Sequence, residues 1–235
     1  MMPPSAATFT TLRPGRPSFR TPTPDARGRS PRAQSVTDMA FHDGRLYVAG
    51  LSNEEFASKL WALPYPFASE RAADRGTSVE IYHGSHGQLE TRSPVYTFVP
   101  YAIGGVPHLV AGYLCTPLVK LPVSSLAPGS KVRGTTIAEL GAGNRPIDMV
   151  VYKKDGKDYL LMSNTSRGVM KIPTERFASE PGIATRIAGT AGVGYETVAS
   201  MAGVQQLDLL DAARAVVVTR ARQGGPVALA TVPLP

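Results

Sequence analysis

The chain has 235 residues, 43% hydrophobic and 18% charged, enough for one domain with a large core. Its single cysteine, Cys115, excludes an intrachain disulfide and a Cys-rich zinc module. No apolar run approaches the ~18 residues of a membrane-spanning helix, and no N-terminal apolar core marks a signal peptide.

Charge is distributed unevenly. Of the net +7, residues 1–35 carry +5, from Arg13, Arg16, Arg20, Arg27, Arg29 and Arg32 against Asp25. The remainder is nearly neutral, which argues against nucleic acid as the partner of the folded part. The same stretch holds Pro3, Pro4, Pro14, Pro17, Pro22, Pro24 and Pro31. It reads as a disordered Pro/Arg-rich tail, because it has too little apolar surface to offset its ordering entropy. Such a tail is a solvated leader or a basic arm for an anionic partner.

From Val36 the chain repeats. The first predicted strands are "VTDMAF" (36–41), "PVYTFV" (94–99), "PIDMVVY" (146–152) and "VQQLDLL" (204–210). Second strands follow at "RLYVAG" (45–50), "PHLVAG" (107–112), "DYLLMS" (158–163) and "ARAVVVT" (213–219). Third strands end in proline, at "KLWALP", "LVKLP", "VMKIP" and "LATVP", and Pro64, Pro122, Pro173 and Pro233 step by 58, 51 and 60 residues. A fourth strand follows in three units, at 77–83, 131–140 and 182–188. Asp-Gly in "HDGR" (42–45) and "KDGK" (154–157) supplies the positive φ of a tight hairpin. No helical periodicity persists over a useful length.

Four short antiparallel strands repeated every 50–60 residues predict an all-β fold, a β-propeller with four recognisable four-stranded blades. The predicted blades span about 36–83, 92–140, 145–188 and 196–235, all within one domain over 36–235. A β-sandwich would explain the strands but not the recurring proline. The fourth blade lacks an outer strand. Either "SAATFTTL" (5–12) closes a four-bladed ring, or the chain is the C-terminal part of a larger propeller. The second reading is preferred, because the tail looks foreign to the repeats. An open propeller would expose a flank and invite self-association.

"DM" or "DL", then "DG", then an apolar strand, then apolar-Lys-apolar-Pro resembles the bacterial NHL-type and quinoprotein-like β-propellers over residues 36–235. "GNRPIDMVVY" (143–152) and "SNTSRGVMKI" (163–172) are also similar to uncharacterised exported bacterial propellers. The second unit lacks the Asp, and the second and fourth lack Asp-Gly. The resemblance implies a propeller and a periplasmic or extracellular parent protein, and it carries over no catalytic residue.

Candidate chemistry gathers in the loops of one face: those joining strand four to the next blade and those joining strands two and three. His83 and His86, in "HGSHG" (83–87), suit a divalent metal or haem iron, with Glu90 or Cys115 as a further ligand if the loops meet. Against this stands a glycine-flanked turn whose histidines bond to backbone or face water. Arg92, Arg145 and Arg167 on the same face suit an anion, or pair with loop carbonyls. Asn144 and Asn164, with Asn53 and Glu54, offer oxygen ligands of the kind propeller lactonases use for a divalent ion, or serve as turn formers. Asp38, Asp148 and Asp208 recur in first strands and read as structural hydrogen-bonding groups. These residues predict a module that binds a small molecule or protein at its loop face. The alternatives are a metal- or haem-dependent enzyme acting through His83 and His86, and a lactonase-like hydrolase.

Overall fold

A computed structural model describes residues 30–67, 75–115, 117–222 and 224–235. The closing segment 5–12 and nearly all of the Arg/Pro-rich tail lie outside them. The last tail residues do not hang free. Pro31–Gln34 forms a 3-10 turn, and Gln34 Nε2 donates to the Tyr96 hydroxyl at 3.0 Å.

The described chain contains no α-helix and folds as four radial antiparallel sheets, the blades of a propeller. Blade one is β1 (Asp38–His42), β2 (Arg45–Leu51), β3 (Ser58–Pro64) and β4 (Thr77–His83), extended by β5 (Gln88–Glu90). Blade two begins with β6 (Val95–Ile103), β7 (Val106–Tyr113) and β8 (Pro117–Pro122). Next come β9 (Lys131–Arg133) and β10 (Thr135–Leu140). Blade three has β11 (Pro146–Lys154), β12 (Lys157–Asn164) and β13 (Val169–Pro173). It is followed by β14 (Thr190–Gly192) and β15 (Glu196–Thr197). Blade four has β16 (Val204–Leu209), β17 (Arg214–Arg220) and β18 (Val227–Pro233), with no fourth strand among the described residues.

Local chemistry explains the hairpins. Asp43 and Gly44 sit at φ 47 and 69, and Asp155 and Gly156 at φ 51 and 76. These are the paired left-handed conformations of a two-residue turn whose twist matches the strands. In blade two Gly104 and Gly105 do the same work at φ 58 and 79.

Two predicted fourth strands are corrected. "KVRGTTIAEL" does not run as one strand. It breaks at Gly134, where a Cβ would lie 2.4 Å from Val119 Cγ1 and whose N–H donates to Glu80 O at 2.9 Å. Its first half, β9, pairs in parallel with β4 of blade one, and its second half, β10, joins blade two. The segment 182–188 is not a strand. Ile183 N donates to Thr136 O at 2.8 Å and Ile187 N to Gly84 O at 3.0 Å, so the chain runs irregularly from the outer edge of blade two to the exit turn of blade one. It then pairs as β14 with β10, and the fourth strand of blade three is the short β15.

The core lies between blades. Tyr47, Leu60 and Ile81 of blade one meet Phe98, Leu109 and Leu121 of blade two. Ile103, Val110 and Ile137 of blade two meet Met149, Leu160 and Met170 of blade three. Tyr152 and Leu161 of blade three meet Leu207, Ala215 and Val217 of blade four. No buried apolar cluster among the described residues joins blade four to blade one. On those two flanks Met39, Phe41, Val227 and Leu229 are exposed.

Two of the three recurring aspartates, Asp38 and Asp148, cross-link neighbouring blades. Asp38 Oδ2 accepts from Phe98 N at 2.8 Å, and Asp148 Oδ2 accepts from Leu207 N at 2.9 Å. Each binds the innermost strand of the next blade and also accepts from its own following residue. Blade two, which has no such aspartate, holds blade three through the Tyr101 hydroxyl, 3.0 Å from both Asp158 Oδ2 and Thr174 Oγ1.

Candidate metal centre

One face carries the ends of β4 and β10, the starts of β6 and β11, and the turns between second and third strands. On it, β4 ends at His83, a four-residue turn follows, and β5 returns antiparallel with His83 opposite Gln88. The turn is closed by Gly87 N donating to His83 O at 2.8 Å, with Gly87 at φ 68. The glycines therefore serve the turn, and the turn folds His86 back over His83. The ring centroids lie 3.8 Å apart at 38°. That spacing leaves no room for a porphyrin between the two rings.

Glu90, on β5, faces both imidazoles. Its Oε2 lies 3.1 Å from His83 Nδ1, and its Oε1 lies 2.5 Å from His86 Nδ1. The Ser93 hydroxyl also donates to it. Burial would raise this carboxyl, but the two imidazoles and the hydroxyl outweigh burial and hold it at about 2. His83 is 1% exposed, and neither of its ring nitrogens makes a well-aligned hydrogen bond. His86 is half exposed.

A second carboxylate supports the turn from below. Glu139, fully buried on β10, accepts from Gly84 N at 2.6 Å and from Ser85 Oγ at 3.2 Å. Burial raises its carboxyl, against the lowering effect of His83 and these donors. The β7–β8 turn of blade two brings Cys115 to the same place, with Cys115 N donating to Asn144 O at 2.8 Å. One ligand atom each from His83, His86 and Cys115 lies within 4.8 Å of the others. The loops do meet, and they bring the chain's one thiol to its one histidine pair.

The other predicted face residues have more local roles. Asn144 and Asn164 are buried. Asn144 Oδ1 accepts from Ser166 N and Asn164 Oδ1 from Arg167 N, both at 2.9 Å, while both amide nitrogens lack a hydrogen-bond partner. Arg167 donates to the carbonyls of Gly141 and Ala142 at 3.1 and 3.0 Å. Arg145 lies over the Tyr96 ring, 5.4 Å from its centroid. Arg92 is exposed. Glu54 accepts from the buried Lys59 at 2.5 Å.

A cavity of about 430 Å³ opens on the propeller axis, lined in part by Asp38, Asp148, Asp208 and Gln206. Burial, reinforced by the charges of Asp38 and Asp208, raises the Asp148 carboxyl to about 6 against its backbone hydrogen bonds.

No known family model matches the chain. No curated protein matches it. Among solved structures it is similar to a GH43 glycoside hydrolase engineered to display both endo-xylanase and exo-arabinofuranosidase activity. The TM-score is 0.42 at 14% identity, over 95% of this chain and 41% of that one. The chain thus spans less than half the length of that enzyme.

Proposed function

We propose that this chain is a metal-binding β-propeller, with a transition-metal ion held at its loop face by His83 and His86 beside Glu90. The observation that carries this reading is His83, buried with both ring nitrogens lacking an aligned partner and stacked on a second imidazole. A buried imidazole whose ring nitrogens make no aligned hydrogen bond is costly. A neutral imidazole is also the commonest metal ligand. The ion would serve recognition of a small molecule or protein whose remaining contacts come from the adjoining loops, with Arg92, Asn144, Arg145, Asn164 and Arg167 as candidates.

Kinship with NHL-type and quinoprotein-like propellers is supported by the repeated Asp, Asp-Gly and apolar-Lys-apolar-Pro pattern. An exported parent protein would follow from that kinship.

The test is metal analysis of the purified chain after zinc loading and dialysis, repeated on His83→Ala/His86→Ala. One equivalent in the wild type, lost in the folded double variant, supports the reading. No retained metal, or stoichiometric metal unchanged in the double variant, overturns it.

A further inference from the structure

We infer that Cys115 is the third ligand of this centre and that Glu90 stands outside it, as the carboxylate that orients both imidazoles. This rests on the metal-binding reading above and assigns its inner and outer shells.

The assignment follows from which atoms are already engaged. Each Glu90 oxygen faces one Nδ1, at 3.1 Å for His83 and 2.5 Å for His86. An imidazole nitrogen has one in-plane direction for a hydrogen or a lone pair. A nitrogen turned to a carboxylate is therefore not turned to an ion. His86 Nδ1 is hydrogen-bonded to Glu90 and His83 Nδ1 faces it without an aligned bond, so the two Nε2 atoms are the ones left for the metal. A carboxylate behind a metal-binding histidine is the usual arrangement, and it raises ligand basicity. Here one carboxylate faces two histidines.

The third ligand comes from the other blade. Cys115 adopts φ 63 at the β7–β8 turn and is pinned by its N–H to Asn144 O. The cluster's ligand atoms, within 4.8 Å of one another, need to contract by about 1 Å to match tetrahedral zinc, with Zn–N about 2.0–2.1 Å and Zn–S about 2.3 Å. A thiolate with two imidazoles selects zinc, copper or cobalt over calcium or magnesium, which prefer oxygen. Three protein ligands leave a fourth position, and the half-exposed His86 puts the centre at the solvent boundary. Open three-ligand sites take water or a small Lewis base there, whereas structural zinc sites are closed by four protein ligands. The ion also ties the exit turn of blade one to a turn of blade two.

Cobalt(II) titration of the full chain tests this, because thiolate ligation gives a sulfur-to-cobalt charge-transfer band. The expected result is one Co(II) per chain with that band. Cys115→Ser should lose the band while keeping weaker binding through the histidines. Glu90→Gln should keep the band and the stoichiometry with affinity lowered roughly 10–100-fold. Cys115 is the only cysteine, so alkylation of the wild type gives a readout that needs no variant: bound zinc should protect the thiol. If no cobalt binds, the metal-binding reading itself fails. If cobalt binds without the band, and zinc leaves alkylation unchanged, that reading stands and the Cys115 assignment falls. Complete loss of binding in a folded Glu90→Gln would make Glu90 a direct ligand and overturn its outer role.

Discussion

The junction between blades three and four and the gap between blades four and one are built from the same kind of strand, and they differ in what the strand meets. At the first, Asp148 reaches across to Leu207 N, and Val150, Leu161 and Val217 are buried. At the second, Asp208 bonds only the next residue, Leu209 N, among the described residues. There Val227 and Leu229 are 56% and 75% exposed. A repeat residue thus acquires its structural role from the neighbouring blade, and the same aspartate without that neighbour is a surface group.

Paired substitutions across the two places test this contrast. The largest expected difference is in packing. Leu161→Ala, fully buried at the junction of blades three and four, should cost about 2–5 kcal/mol. Leu229→Ala should stay within about 0.5 kcal/mol. Denaturant midpoints read both, and equal losses would mean the flank is covered in solution.

Next come the aspartates. Asp148→Ala strands a buried N–H and should cost about 1–3 kcal/mol, whereas Asp208→Ala should be close to neutral. Asp148→Asn should recover part of the loss, because an amide oxygen still accepts.

A pH-dependent effect follows from the raised Asp148 carboxyl, at about 6 when folded against about 3.9 when unfolded. Between these values the folded state binds more protons, so this group's contribution to stability falls as pH rises through the window. Wild type minus Asp148→Asn should show that slope between about pH 4 and 6. A flat difference would remove Asp148 as its source.

The smallest effect on stability, and the clearest on association, belongs to Leu229→Glu. The exposed flanks predict self-association of the wild type, read as native mass, and a return toward monomer in this variant. A wild type that remains monomeric at high concentration would show the flanks to be inert.

The sequence revealed most of the inner architecture because its signals are local. Asp43-Gly44 and Asp155-Gly156 specify their hairpins wherever they occur, and the alternating strands around Val48, Val110 and Leu161 announce a sheet. The outer strands were harder to read. "GIATRIA" has strand composition, yet Ile183 and Ile187 bond to Thr136 O and Gly84 O instead of to their own blade. Gly134 splits another strand because Val119 lies where a side chain would go. Both outcomes depend on neighbours distant in sequence. The candidate centre divides in the same way. His83, His86 and Glu90 were visible as one loop. The arrival of Cys115 required two blades to pack, and the facing of Glu90 toward both Nδ1 atoms is a matter of side-chain direction that spacing does not encode.

Among the described residues no buried apolar cluster joins blades four and one, and this bears on how they come apart. A closed ring has no end, so opening any blade breaks two interfaces at once. In a row of blades that is not closed, stability becomes a sum over nearest neighbours, as in a linear repeat array. Blade four, packed on one side and three strands wide among the described residues, is then the unit that should open first. Its amides should exchange with solvent ahead of the rest. Blades two and three, flanked on both sides, should form the slowest-exchanging part. The candidate metal centre lies across the first junction, two blades away from that fraying end.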